Sequence, residues 1–273
     1  MNDVSMSPDR PALALQLHDV DVTFGGVRAL QSVSLDVHVG GIHAVIGPNG
    51  AGKTTFFNAV SGMVRISGGE VLLNGERIDG WAANRIAAAG MARTFQNLAV
   101  FSNLTVRQNL LLGRHVQTRA GWFSAGMALP SARREAARQI EHVERVAHLV
   151  DLGHLLDSGG GDLSYGDRKR VEIGRALCME PSVLLLDEPV AGMNSTETSR
   201  MAKLMRTIRD EMDITVLLVE HDMGMVMRLA DHVTVLDFGR VVASGPPAAV
   251  QEDPKVIEAY LGVKGASDLL AGH

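Results

Sequence analysis

Gly47-Pro48-Asn49-Gly50-Ala51-Gly52-Lys53-Thr54-Thr55 fits the pattern G-x-x-x-x-G-K-[ST]. Such spacing suits phosphate binding. Glycines let backbone N–H groups close around the oxygens, a helix N-terminus faces the negative charge, Lys53 reaches the β and γ oxygens, and the Thr54 hydroxyl is placed to ligate Mg²⁺. A second chemical group lies far along the chain, where the apolar run at residues 183–186 ends in Asp187-Glu188. There Asp187 is expected to support Mg²⁺ and Glu188 to polarise a water for in-line attack.

Positioning these residues requires strands that end where the chemistry begins. Residues 42–46 are a short apolar run of the kind a sheet buried on both faces produces; it ends at the Gly-rich turn, and a helix is predicted over 53–60. The runs 183–186 and 214–219 end in Asp187-Glu188-Pro189 and in Glu220-His221. Between them Met201, Leu204, Met205, Ile208 and Met212 recur at the core spacing of a helix. Strands alternating with helices imply a parallel sheet, with ligands beyond the carboxyl ends of its strands. Earlier in the chain, residues 13–39 read as strands broken by a Gly25-Gly26 turn, with Val20, Val22 and Phe24 on one alternation. Asn74-Gly75 signals a type I′ hairpin between 70–73 and 76–78, giving an antiparallel lobe. From about 97 to 170 the pattern turns helical: Ala136, Ile140, Val143, Ala147 and Val150 mark one face, and Glu141 stands four residues before Arg145. A last hairpin is expected around 233–236 and 240–243, followed by a helix from about 247 to 261.

A chain of 273 residues can bury a sizeable core, and its 46% hydrophobic, 4% aromatic composition favours α/β over an aromatic-rich β-sandwich. Lys and Arg number 26 against 31 Asp and Glu, a net charge of −5, so no broad basic face for nucleic acid is implied. The single cysteine, Cys178, excludes an intrachain disulfide framework, fits a reducing compartment and reads as a buried thiol. The first residues lack the basic and apolar regions of a secretory signal, and no stretch approaches the ~18 apolar residues of a membrane span. The chain is therefore expected to be soluble, or peripheral through a partner.

Beside these motifs, Leu163-Ser164-Tyr165-Gly166-Asp167 falls where the ATP-binding-cassette (ABC) ATPases carry their signature, usually Leu-Ser-Gly-Gly-Gln. The chain resembles that family from Leu13 to Val263. The resemblance implies an α/β fold, a P-loop NTPase of ABC type with a mainly parallel core sheet, an antiparallel β lobe and an inserted helical subdomain. It implies one domain over 13–263, the helical subdomain at about 97–170, and tails at 1–12 and 264–273. ATP and Mg²⁺ are the implied ligands. By the same resemblance Ser164 and Gly166 serve the γ-phosphate of a nucleotide held by a second subunit. Gln96, in Arg93-Thr94-Phe95-Gln96-Asn97, senses Mg²⁺ and water, His221 contacts the γ-phosphate, and Phe24 matches the aromatic that stacks on adenine. Tyr165 and Asp167 depart from the signature. Asn194 stands where the family commonly has the aspartate of its D-loop. Plainer readings stand beside these: Ser164 as N-cap of the helix carrying Val171 and Leu177, Phe24 as a core residue, and Asn194 with Glu197 as a capping box.

At subgroup level, the combination of Arg93-Thr94-Phe95-Gln96-Asn97, Leu163-Ser164-Tyr165-Gly166, Ala191-Gly192-Met193-Asn194 and Val256-Ile257-Glu258-Ala259-Tyr260-Leu261-Gly262 resembles the ATPase subunits of branched-chain amino acid importers. Importers of urea, amides and other small polar solutes share such sequence. What this implies is an ATP-hydrolysing motor on the cytoplasmic face of the cell membrane. It would pair with an identical or paralogous ATPase, act on transmembrane permease subunits and serve a solute-binding protein indirectly, without nucleic acid. An ABC ATPase powering lipopolysaccharide extraction and a soluble nucleotide switch are the alternatives. Residues 121–127 are a candidate permease contact beside a reading as local packing, and Arg168-Lys169-Arg170 reads as a solvated helix face.

Overall fold

The computed structural model describes residues 12–94, 100–116 and 130–260. Gln96, residues 121–127 and, apart from Ala12, the two expected tails lie outside the described residues. β1 (Leu13–Phe24) and β2 (Val27–His38) form a hairpin across Gly25-Gly26, both at the positive φ that a type I′ turn needs. With β4 (Gly68–Leu73) and β5 (Glu76–Arg77) they make an antiparallel sheet ordered β2-β1-β4-β5. The central sheet holds β3 (Ile42–Ile46), β6 (Met91–Arg93), β7 (Val183–Asp187), β8 (Thr215–Val219), β9 (His232–Asp237) and β10 (Arg240–Gly245). Its order is β10-β9-β3-β8-β7-β6, parallel except for β10.

Every residue of β3, β7 and β8 is buried, as the continuous apolar runs require of strands covered on both faces. The period of two divides them cleanly. Ala44, Leu184, Leu186, Val216 and Leu218 face one core, shared with α3 (Val106–Leu111), α4 (Pro130–Leu149), α5 (Tyr165–Leu177), α6 (Ser195–Met212) and α7 (Met223–Leu229). Val45, Val183, Leu185, Leu217 and Val219 face the other, shared with Phe56 and Phe57 of α1 (Lys53–Val60), Ile86 of α2 (Ala83–Ala88) and the antiparallel lobe. In α6 the stripe of Met201, Leu204, Met205 and Ile208 is buried as its spacing predicts. Cys178 is buried, and desolvation pushes its thiol up to about 12, so it is an inert core residue.

Four local expectations are corrected. In α4, Val143, Val146 and Ala147 are buried, as is Val150 just past its end, but Ala136 and Ile140 are exposed, because the apolar seam covers only the half of the helix that meets α3 and α5. Phe24 continues the alternation of Val20 and Val22 in sequence but is 48% exposed, at the hairpin end beyond the core. The trio at 168–170 is not a solvated face: Lys169 is buried, Arg168 donates to the carbonyls of Leu163 and Gly161, and Arg170 pairs with Asp151 and Asp167. The reason is that α5 is enclosed around most of its circumference. Finally, the helix expected from 247 is two pieces, α8 (Pro247–Gln251) and a second helical segment over 254–260, since Pro254 has no N–H to continue the first ladder. Among the described residues no helix is long and apolar enough to cross a membrane.

Candidate functional site

Parallel register fixes the site. Val183↔Thr215 through Asp187↔Val219, and Val45↔Val219, place the carboxyl ends of β7, β8 and β3 side by side, so Asp187-Glu188, Glu220-His221 and Gly47 emerge on one edge. After β3 the chain turns through residues 47–52 into α1. A side chain at Gly47 would strike the carbonyl oxygen of Leu236 on β9, which is why a glycine is required there. α1 starts at Gly52 in the left-handed region, without a side-chain cap and without an acidic residue in its first turn. Its leading N–H groups therefore face outward as donors for an anion. Lys53 Nζ, half-buried, donates to the carbonyls of Gly47 (2.6 Å) and Pro48 (2.9 Å). Burial lowers its pKa while the charge of Glu188 opposes the shift.

Residues 49–55, Glu188, Val27, Phe238 and Gly239 line one cavity of about 590 Å³. Uncapped amides and a lysine on one side and a carboxylate on the other are a donor set suited to a polyphosphate and an attacking water. Phe24 does not line this cavity but pairs with Val27, which does. Phe238, which the sequence reading left unassigned, is 80% exposed at φ 42°; its turn is tied down by Gly239 N–H donating to Ala51 O (2.9 Å). An aromatic directly before a hairpin glycine was its only signal.

The Asp187 carboxylate accepts from Arg93 (Nη2 to Oδ2, 3.0 Å), with both side chains under a tenth exposed. Arg93 also donates to Asn58 of α1 and to Ser61 at its C-terminal cap, each at 2.8 Å. Asp187 and the Thr54 hydroxyl are oxygen donors of the hard kind that Mg²⁺ takes, so the residues fit that ion. Glu188 adopts φ 47°, and His221 Nδ1 stands 4.0 Å from its carboxylate. The neighbouring Glu220 is fully buried; its Oε1 accepts from Val190 N–H (2.9 Å) and its Oε2 from His221 N–H (3.0 Å). Burial pushes its carboxyl up, against the pull of those amides. Arg93 and Glu220 were visible in the sequence as charges at strand ends, without a partner to give them meaning.

Ser164 and Gly166 lie apart from this cavity and line a groove of about 640 Å³ that also touches Met193, Glu197 and Arg200. Ser164 is the N-cap of α5: its hydroxyl accepts from Asp167 N–H (3.2 Å) and donates to Asp167 Oδ2 (2.6 Å). The departures from the signature thus have local partners. Asp167 also pairs with Arg170, and Tyr165 OH donates to Ala191 O (3.0 Å) across Gly192. Asn194 and Glu197 form the expected capping box at the start of α6.

Comparison with known proteins adds the following. The ABC transporter family matches residues 30–191, and the family described as branched-chain amino acid ATP-binding cassette transporter matches 240–266. The high-affinity branched-chain amino acid transport ATP-binding protein BraF of Pseudomonas aeruginosa is 38% identical over 91% of this chain and 97% of its own length. LivG of Escherichia coli K12, of the same description, is 37% identical over the same shares. Among solved structures, a nucleotide-free ATP-binding cassette from an ABC transporter superposes with a TM-score of 0.80 at 30% identity, over 92% of this chain and 99% of that one.

Proposed function

Because the chain belongs to the ABC transporter ATPases, in the branched-chain amino acid family, we propose that it powers import of branched-chain amino acids or a related small polar solute. The cavity shared by residues 49–55 and Glu188 carries the chemical part of this reading. The match of residues 240–266 carries the substrate class.

The backbone N–H groups of residues 49–52 and the N-terminus of α1 hold the β- and γ-phosphates of ATP in the loop opened by Gly47-Pro48, and Lys53 neutralises their charge. Thr54 and Asp187, with Gln96, would hold Mg²⁺, which would offset charge on the phosphate oxygens. Glu188 orients the attacking water and takes its proton as the oxygen adds to the γ-phosphorus and ADP leaves; His221 contacts the γ-phosphate. Phe24 stacks on the adenine. Ser164 and Gly166 complete the site of a second, identical or paralogous subunit, so two nucleotides are sandwiched between a pair. Closure of the pair passes through Gln96 and a helical subdomain at about 97–170 to permease subunits at the cytoplasmic face of the membrane. A solute-binding protein takes part only through the permease.

Glu188→Gln tests the base: hydrolysis is lost while ATP binding persists, whereas normal steady-state turnover defeats the assignment. The transport reading is tested by mass spectrometry of proteins that co-purify from detergent-solubilised native membranes. Permease subunits together with a second ATPase support it; recovery from the soluble fraction alone argues for a soluble switch.

A further inference from the structure

Glu188 sits in a backbone conformation that a non-glycine residue adopts at a cost, and it does so directly before Pro189. Such strain persists only where the surroundings over-determine it. Three contacts do so here. Glu188 N–H donates to Val219 O (3.0 Å), Ala191 N–H donates to Glu188 O (3.3 Å), and Val190 N–H donates to Glu220 Oε1 (2.9 Å). Glu220 is wholly out of water, and its carboxylate is satisfied by backbone amides: Val190 on the segment after Glu188, His221 at 3.0 Å, and Asp222. A buried carboxylate held by amides from two loops is a rigid joint between them, because losing any one bond leaves charge or donor unsolvated. The two loops it joins are those that present Glu188 and His221 to one another at 4.0 Å.

We propose that Glu220 is a positioning residue, whose carboxylate fixes the strained turn at Glu188 and the backbone of His221 as one unit. This rests on Glu188 being the base. Glu220 does not line the nucleotide cavity, so it acts through its neighbours and not on ATP.

The test measures phosphate release and ATP affinity in the full chain for Glu220→Ala, Glu220→Gln, Glu188→Gln and the double variant Glu188→Gln/Glu220→Ala. In Glu220→Ala, kcat falls about tenfold or more while the ATP Kd stays within about twofold, since the phosphate loop is untouched. Glu220→Gln keeps an acceptor for Val190 N–H, so it loses less; it also serves where the Ala variant fails to fold. The double variant is no slower than Glu188→Gln, as expected of a residue that works through Glu188. Unchanged kcat in Glu220→Ala beside an inactive Glu188→Gln overturns the positioning role alone, as does a proportional fall in kcat and ATP affinity. Normal turnover in Glu188→Gln overturns the base assignment and the proposal with it.

Discussion

Asp187 meets the Arg93 guanidinium where both are almost wholly out of water, so the pair is held by geometry as much as by charge. Removing one partner of a buried pair strands the other. Arg93→Met should lower the unfolding free energy by about 3 kcal/mol, read from urea titrations, because Asp187 loses its cation and Asn58 and Ser61 lose a donor. A second residue sets the response to acid. His43 is buried, bonded through Nε2 to Thr234 Oγ1 (2.9 Å), and desolvation, with the charges of His232 and His38, pushes its pKa down to about 3. The unfolded chain binds a proton at His43 near pH 6.5 and the folded chain does not until about pH 3, so stability is full above the first value and falls as pH drops through that window. Between about pH 7.5 and 5 this one group should remove about 2 kcal/mol. Urea titrations at the two pH values should show a smaller drop in His43→Gln; an equal drop would mean His43 is not the source.

Elements here pack closest where glycine lets them. The 3₁₀ turn Leu112–Val116 lies against α5 so tightly that a Cβ on Gly113 would land on the carbonyl oxygen of Arg175 and near Cys178. Gly113→Ala should therefore cost about 2 kcal/mol, visible as a lowered thermal midpoint, as the two elements are forced apart. The same scale explains which elements could be read from the chain. β3, β7, β8, α1 and the Asn74-Gly75 hairpin follow from contiguous residues whose period and terminating residues agree. Ala136 and Ile140 misled because the period says which side of a helix is apolar, not how far along its partners reach. Lys169 misled because charge predicts a solvated face only when nothing packs over it.

For the whole molecule, Ser164 and Gly166 lie in a groove of their own, away from the cavity that residues 49–55 share with Glu188. The proposed pairing brings the loop of one subunit to Ser164 and Gly166 of another. ATP turnover per mole of protein should therefore rise with concentration, measured alongside the association state; strictly first-order activity in a demonstrably monomeric sample would sink the pairing. By itself the sequence determined the fold class, the glycine-rich loop between β3 and α1 and the acidic strand end, because each rests on neighbouring residues and on strands that declare their burial by composition. Only the tertiary structure decided that Asp187 belongs to Arg93, 94 residues earlier, and that Val190 is held by Glu220, 30 residues later. Those pairings depend on the order β3-β8-β7-β6 and its parallel register, which bring distant strand ends into contact and leave no mark in the local spacing of the residues they join.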